Sequence, residues 1–161
     1  MSVRGLHHMA FRCRDSEETR AFYEEVMGFP LVGAMDLSAS ATGRPIRLLH
    51  SFFEMAPGSY VAFFEVEGDP FEPTPRHDFD LHMALEADPA TIARTVAAAR
   101  ALGLEVRGPS DHGFIRSTYF RDPNGYVVEL TTPAEGHAGL GAATAAAARR
   151  TLEAWTAAKA A

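Results

Sequence analysis

The sequence predicts an α+β fold made of two βαβββ modules followed by a C-terminal helix. Three observations lead there. His8-Met9-Ala10-Phe11 returns as His82-Met83-Ala84-Leu85, 74 residues later. Each copy is followed by a helical pattern that stops at a glycine and re-enters a strand, at Met27-Gly28-Phe29 and then, 75 residues on, at Leu102-Gly103-Leu104. Three runs rich in β-forming residues then close each copy. Self-similarity at a fixed spacing means that one supersecondary unit is used twice.

In the first module a strand at His8–Phe11 leads to Asp15 or Ser16, either suited to cap a helix that carries Ala21, Phe22, Val26 and Met27 on one face. Strands are expected over Leu31–Leu37, Ile46–Glu54 and Tyr60–Val66, between Gly- and Pro-containing turns. The acidic, proline-rich stretch Gly68–Pro75 reads as a spacer. The second module opens at His82. Asp88 caps its helix, Pro89 takes the first helical position, and Ile92, Val96, Ala99 and Leu102 form the apolar face. Glu105–Arg107, Ile115–Phe120 and Tyr126–Thr131 follow as strands, the last two joined by the turn Asp122-Pro123-Asn124-Gly125. The modules are thus expected over about residues 4–67 and 79–132 of a domain spanning 1–133, with an alanine-rich tail over 134–161. Within the tail, Ala142–Lys159 reads as a helix, with Leu152 and Trp155 placed to dock it on the body or on a second subunit.

Composition narrows the function. At 161 residues, 47% hydrophobic and 22% charged, the chain is that of a globular protein with room for one core. The net charge of −6 is dispersed, and no basic stripe suggests nucleic-acid binding. No apolar run approaches a membrane span. Cys13 is the only cysteine, so an internal disulfide is impossible, and Met1–Gly5 do not read as a secretory signal. A cytoplasmic protein acting on a small molecule is expected.

The doubled βαβββ pattern with its repeated His-Met-Ala resembles the vicinal oxygen chelate superfamily over roughly residues 4–132. That group includes glyoxalases, extradiol ring-cleaving dioxygenases, fosfomycin-resistance proteins and bleomycin-binding proteins. The resemblance implies that each module is a cupped mixed sheet, with metal and substrate inside the cup. It also implies that chains pair as a homodimer.

His8 and His82 correspond to the superfamily's first-strand metal ligands, and Glu129, closing Tyr126-Val127-Val128-Glu129, to its carboxylate ligand. An ionised glutamate in so apolar a strand is costly unless it is paired or binds a cation. Singly, each residue reads more readily as an ordinary strand residue; at matching positions, the three together point to a metal. The repeat selects His8 over its neighbour His7, which strand alternation would send to the opposite face. Two imidazoles and one carboxylate suit Fe(II) first, with Ni, Zn, Co or Mn as other candidates. Glu65 ends Phe63-Phe64-Glu65 much as Glu129 ends its own strand. It is either a fourth ligand, as in glyoxalase I-like members, or the start of an acidic exit from the sheet.

The segment from His112 to Glu129 resembles the extradiol dioxygenase signature, in which the histidine and tyrosine line the site. On that reading His112 shuttles a proton and Tyr119 hydrogen-bonds a substrate oxygen. Extradiol-type members carry a further acid/base histidine, for which neither His50 nor His77 is a clear match. Arg12, four residues after His8, is a candidate for a substrate carboxylate. The leading expectation is an Fe(II) dioxygenase acting on a catecholic or other vicinal-oxygen substrate. A glyoxalase-like isomerase or lyase is the alternative, and a non-enzymatic binding or resistance protein the third reading.

Overall fold

The computed structural model describes residues 2–39, 42–43, 45–73, 77–136 and 145–159. Among them, the strands form two four-stranded mixed sheets with identical wiring. In module one, β1 (His8–Arg12) runs parallel to β4 (Ser59–Val66), and β3 (Pro45–Ala56) and β2 (Leu31–Ala39) follow antiparallel. In module two, β5 (His82–Glu86), β8 (Val127–Pro133), β7 (Ile115–Arg121) and β6 (Val106–Asp111) take the same places.

The helices begin where the capping chemistry puts them. Asp15 caps α1 (Ser16–Arg20), its Oδ1 accepting from the backbone N–H of Glu17 and Glu18 at 2.8 Å each. Asp88 caps α2 (Pro89–Ala101) by accepting from Thr91 N at 2.7 Å, with Pro89 at the helix start. After Arg20 the first helix widens into a π-helical segment, Ala21–Val26. Thr19, Phe22, Tyr23, Val26 and Met27 are buried along it, the i, i+3, i+4, i+7, i+8 stripe of a core-facing helix.

Strand β6 runs on to Asp111, past the expected stop at Arg107. Gly108-Pro109 reads as a breaker in sequence, yet the strand absorbs it as an irregularity between Arg107 and Ser110. Only glycine fits there. Gly108 has φ +106°, and a Cβ would lie 2.6 Å from the Ser117 carbonyl oxygen.

Alternation sends one face of each sheet inward. Phe53, Val61 and Phe63 of module one and Met83, Phe120, Val128 and Leu130 of module two join Phe22, Tyr23, Val26, Met27 and Ala99 in one core. Phe63 and Phe120 are therefore core residues. The third helix, α3 (Ala145–Lys159), begins within the predicted range, whose first residues, 142–144, lie outside the described ones. Leu152 and Trp155 remain 61% and 65% exposed, so the expected docking of α3 on the body of its own chain is not what the fold does. No described helix is long and apolar enough to cross a membrane.

The turn between β7 and β8 ties the modules together. Asp122 is buried, and its carboxylate accepts from Tyr126 N at 2.7 Å, Asn124 N at 2.9 Å, and Asn124 Nδ2 and Tyr23 Oη at 3.2 Å each. Asn124 reaches across to module one, donating to Thr19 Oγ1 at 3.1 Å and accepting from Arg14 N at 2.8 Å. Burial pushes the Asp122 carboxyl up to about 6, against the pull of these hydrogen bonds. A raised carboxyl favours the folded state fully below its unfolded value near 4, and that contribution is lost as pH rises through about 6. The variant Asp122→Asn cannot ionise. Its stability relative to wild type therefore rises by up to about 3 kcal/mol between pH 4 and pH 7. Urea unfolding at both pH values measures this, and a difference that stays constant would show that folding leaves the carboxyl unshifted.

Candidate metal centre

In module two, His82 pairs with Val127, and Ala84 with Glu129. Glu129 pairs in turn with Tyr119, and Tyr119 with Arg107. Ala84, Glu129, Tyr119 and Arg107 thus form one cross-strand row. His82, Val127 and Arg121 form the next row, two residues along each strand and on the same face. The face opposite the core is consequently polar. It borders a cavity of about 510 Å³ lined by His82, Tyr119, Arg107 and Val127, with His77, Asp78 and Phe79 of the approach to β5.

Two of the expected ligands meet there. His82 Nε2 lies 3.4 Å from Glu129 Oε2, and the glutamate is 4% exposed. The other ring nitrogen, Nδ1, is 3.1 Å from the Asp78 carbonyl oxygen. A carbonyl only accepts, so Nδ1 carries a proton, and Nε2 is the ring nitrogen turned toward the glutamate. This is the arrangement by which metal-binding histidines are usually oriented. The donor set fits a divalent cation: a buried carboxylate and an imidazole anchored through Nδ1 converge on one side, with one or more ligands still to come.

The two expected catalytic residues also meet. His112 Nε2 lies 2.8 Å from Tyr119 Oη, and Tyr119 stands beside Glu129 in the row. Burial, then the negative charge of Glu129, raises the Tyr119 phenol above its ordinary value. It therefore stays protonated at neutral pH and is a hydrogen-bond donor. The Arg107 guanidinium lies over its ring, 5.6 Å from the centroid.

His8 and Glu65 lie elsewhere. His8 sits on β1 opposite Tyr60, with its ring edge-on to Phe52 at 5.9 Å. His7 lies before the strand begins, so alternation does not act on it. Instead of turning to the opposite face, its Nδ1 comes within 2.8 Å of His8 Nδ1. Glu65 departs from the symmetry read in sequence. The register that pairs Ala84 with Glu129 pairs Ala10 with Ala62, so Ala62 is the counterpart of Glu129. Glu65, three residues further on, points to the helix side, where Oε2 accepts from Ser16 N at 2.7 Å and supports the start of α1. Arg12 is held by Asp69, through its carboxylate at 3.2 Å and its carbonyl oxygen.

Among the described residues, no group of three or more His, Cys, Asp and Glu is gathered closely enough to hold a metal within one chain. Asp78, Arg107 and Arg121 were not singled out from sequence. The usable signal was spacing, since Arg121 stands two residues after Tyr119 and must share its face.

A family model described as the glyoxalase/bleomycin resistance protein/dioxygenase superfamily matches residues 5–130. The fosfomycin resistance protein FosX of Mesorhizobium loti is 28% identical over 80% of this chain and 91% of its own, with a TM-score of 0.56. A glyoxalase/dioxygenase from Nostoc punctiforme is 26% identical over 82% and 92%, with a TM-score of 0.60. A mutant of the FosX protein of Listeria monocytogenes, complexed with Mn(II) and 1S,2S-dihydroxypropylphosphonic acid, is 22% identical over 80% and 92%, with a TM-score of 0.56. No curated protein matches. With a family match over most of its length, two equivalent mixed sheets and a histidine–glutamate pair on the open face of one of them, the chain belongs to the glyoxalase/bleomycin resistance protein/dioxygenase superfamily.

Proposed function

We propose that this chain is a divalent-metal enzyme acting on a small substrate with two adjacent oxygens. Its ligands are His82 and Glu129 of one copy and His8 of a second copy in a homodimer. The carrying observation is the His82 Nε2–Glu129 Oε2 approach at 3.4 Å with Nδ1 tied to a backbone carbonyl. The fold supports the sharing. Both sheets turn one face to the common core, so His8 and the His82–Glu129 pair lie on separate outward faces of the same chain.

A divalent ion held by these residues would act as a Lewis acid toward the substrate oxygens. Glu129 offsets its charge, and the Asp78 carbonyl keeps the His82 ring in register. Tyr119 donates its hydroxyl to a substrate oxygen, and His112, in hydrogen-bond contact with Tyr119 Oη, accepts or returns a proton there. With Glu65 on the helix side, three protein ligands remain, which supports Fe(II) and extradiol-type ring cleavage over a four-ligand isomerase. A second reading, metal-dependent action on fosfomycin or a related phosphonate, is favoured by the 28% identity to the fosfomycin resistance protein of Mesorhizobium loti.

Anaerobic loading with Fe(II) or Mn(II), followed by oxygen uptake on a panel of catechols, separates the two. Uptake with iron alone supports ring cleavage. Full iron occupancy without uptake on any catechol would exclude it.

Glu129→Gln and His82→Ala are expected to weaken metal binding by roughly 10- to 100-fold, of the order seen when a ligand or its support is lost, whereas Glu65→Gln retains it. Titration with the metal, read by elemental analysis, checks all three. Tyr119→Phe should keep the metal and lower kcat by about 10-fold or more. The shared site has its own test: mixing inactive His8→Ala and His82→Ala chains restores one intact site per heterodimer. Recovery of metal binding is expected, and a mixture as empty as its parts would place the ligands within one chain.

A further inference from the structure

Beside the metal-ligand pair, Arg107 and Arg121 form a two-pronged cation. Glu105 holds both from behind, its carboxylate lying 3.2 Å from Arg107 Nε and 3.5 Å from Arg121 Nε. Arg107 is steadied further by the Tyr119 ring, and Arg121 by the Gly125 carbonyl oxygen, to which its Nη1 donates at 3.0 Å. The two Nη2 groups remain and converge. Between them sits the Asp78 carboxylate, one oxygen on Arg107 Nη2 and the other 3.0 Å from Arg121 Nη2. These guanidiniums hold the Asp78 carboxyl below its usual range, Arg121 contributing first.

Asp78 belongs to no strand or helix; it lies in the approach to β5 and lines the same cavity as His82 and Tyr119. Its side chain is 28% exposed, and such partly solvated ion pairs contribute little to stability. The same residue's carbonyl oxygen orients His82. We infer that Arg107 and Arg121 are the substrate's oxyanion site, and that Asp78 is an internal stand-in for that anion. The substrate class is thereby narrowed to small molecules that carry a carboxylate or other oxyanion close to the two oxygens that meet the metal. This inference rests on the metal-enzyme reading for the identity of the site, but the arginine fork itself needs no metal.

Charge and geometry agree. Without Asp78, the Arg107 guanidinium on the cavity wall and the Arg121 guanidinium next to it would have Glu105 alone to offset them, leaving room for one negative group. Each Nη2 offers one donor to one oxygen, the pattern that Asp78 already satisfies. A tethered carboxylate competes at high effective concentration, so the unchanged chain should bind free anions weakly. An anionic substrate that displaces Asp78 would also loosen the carbonyl that orients His82, so anion and metal binding should be coupled.

The test uses the full chain stripped of divalent ions, titrated with acetate and with inorganic phosphate by calorimetry. Asp78→Asn is expected to bind at least one of the two about 10-fold or more tightly than wild type. The gain should vanish in Asp78→Asn/Arg107→Gln/Arg121→Gln. No gain for either anion, or a gain that survives loss of both arginines, would overturn the inference. Should Asp78→Asn fail to fold, the unchanged chain still decides. Saturating acetate or phosphate must shift the side-chain nitrogen resonances of Arg107 and Arg121, and unmoved resonances would overturn the inference. Because no metal is present, failure here leaves the metal reading intact, and failure of metal loading leaves this result readable.

Discussion

In both modules the first strand lies parallel to the last, and this pairing sets where every polar side chain can go. With His82 opposite Val127, Glu129 falls two residues further along and on the same face, and Tyr119 and Arg107 follow across the sheet. A slip of one residue would send the whole set into the core, because side-chain direction alternates strictly along a strand. The residues on the other face prevent that slip. Met83, Val128, Leu130 and Phe120 are buried, and moving any of them outward would expose apolar surface while burying charge.

The same pairing in module one yields a different surface. Its open face carries His8, Phe52, Tyr60 and Phe64, with the buried His50 ring stacked on Phe64 at 3.8 Å. The position equivalent to Glu129 is Ala62, so this face offers two imidazoles and an aromatic wall, with no carboxylate at the place that Glu129 takes. The open faces of the two sheets thus differ: the second carries the His82–Glu129 pair with Tyr119 and Arg107, the first His8, Arg12 and aromatic rings.

Between the modules, a buried polar knot takes the place of a purely apolar seam. Asp122 and Asn124 satisfy their own turn and reach Tyr23, Thr19 and Arg14 on the first helix and its approach. Hydrogen bonds of this kind need defined geometry, so they fix the relative placement of the modules more narrowly than hydrophobic contact alone. Tyr23, in the π-helical segment Ala21–Val26, belongs to the same arrangement through its hydrogen bond to Asp122.

By itself the sequence determined the repeated strand–helix–strand order, the capping residues Asp15 and Asp88, and the expectation that His82 and Glu129 belong together. These depend on local periodicity, turn chemistry and a repeat visible in one dimension. The extradiol-like segment pointed to Tyr119 and His112, and their contact is local, between β7 and the residue just after β6. Tertiary structure decided the rest. Glu65 and Glu129 look equivalent when counted from the ends of their strands, but pairing counts from the neighbouring strand, and an offset of three residues reverses the face. The separation of His8 from His82, and the convergence of Asp78, Arg107 and Arg121 from three separate segments, arise only when the sheets and the approach to β5 are packed. Nothing in linear spacing encodes such long-range contacts.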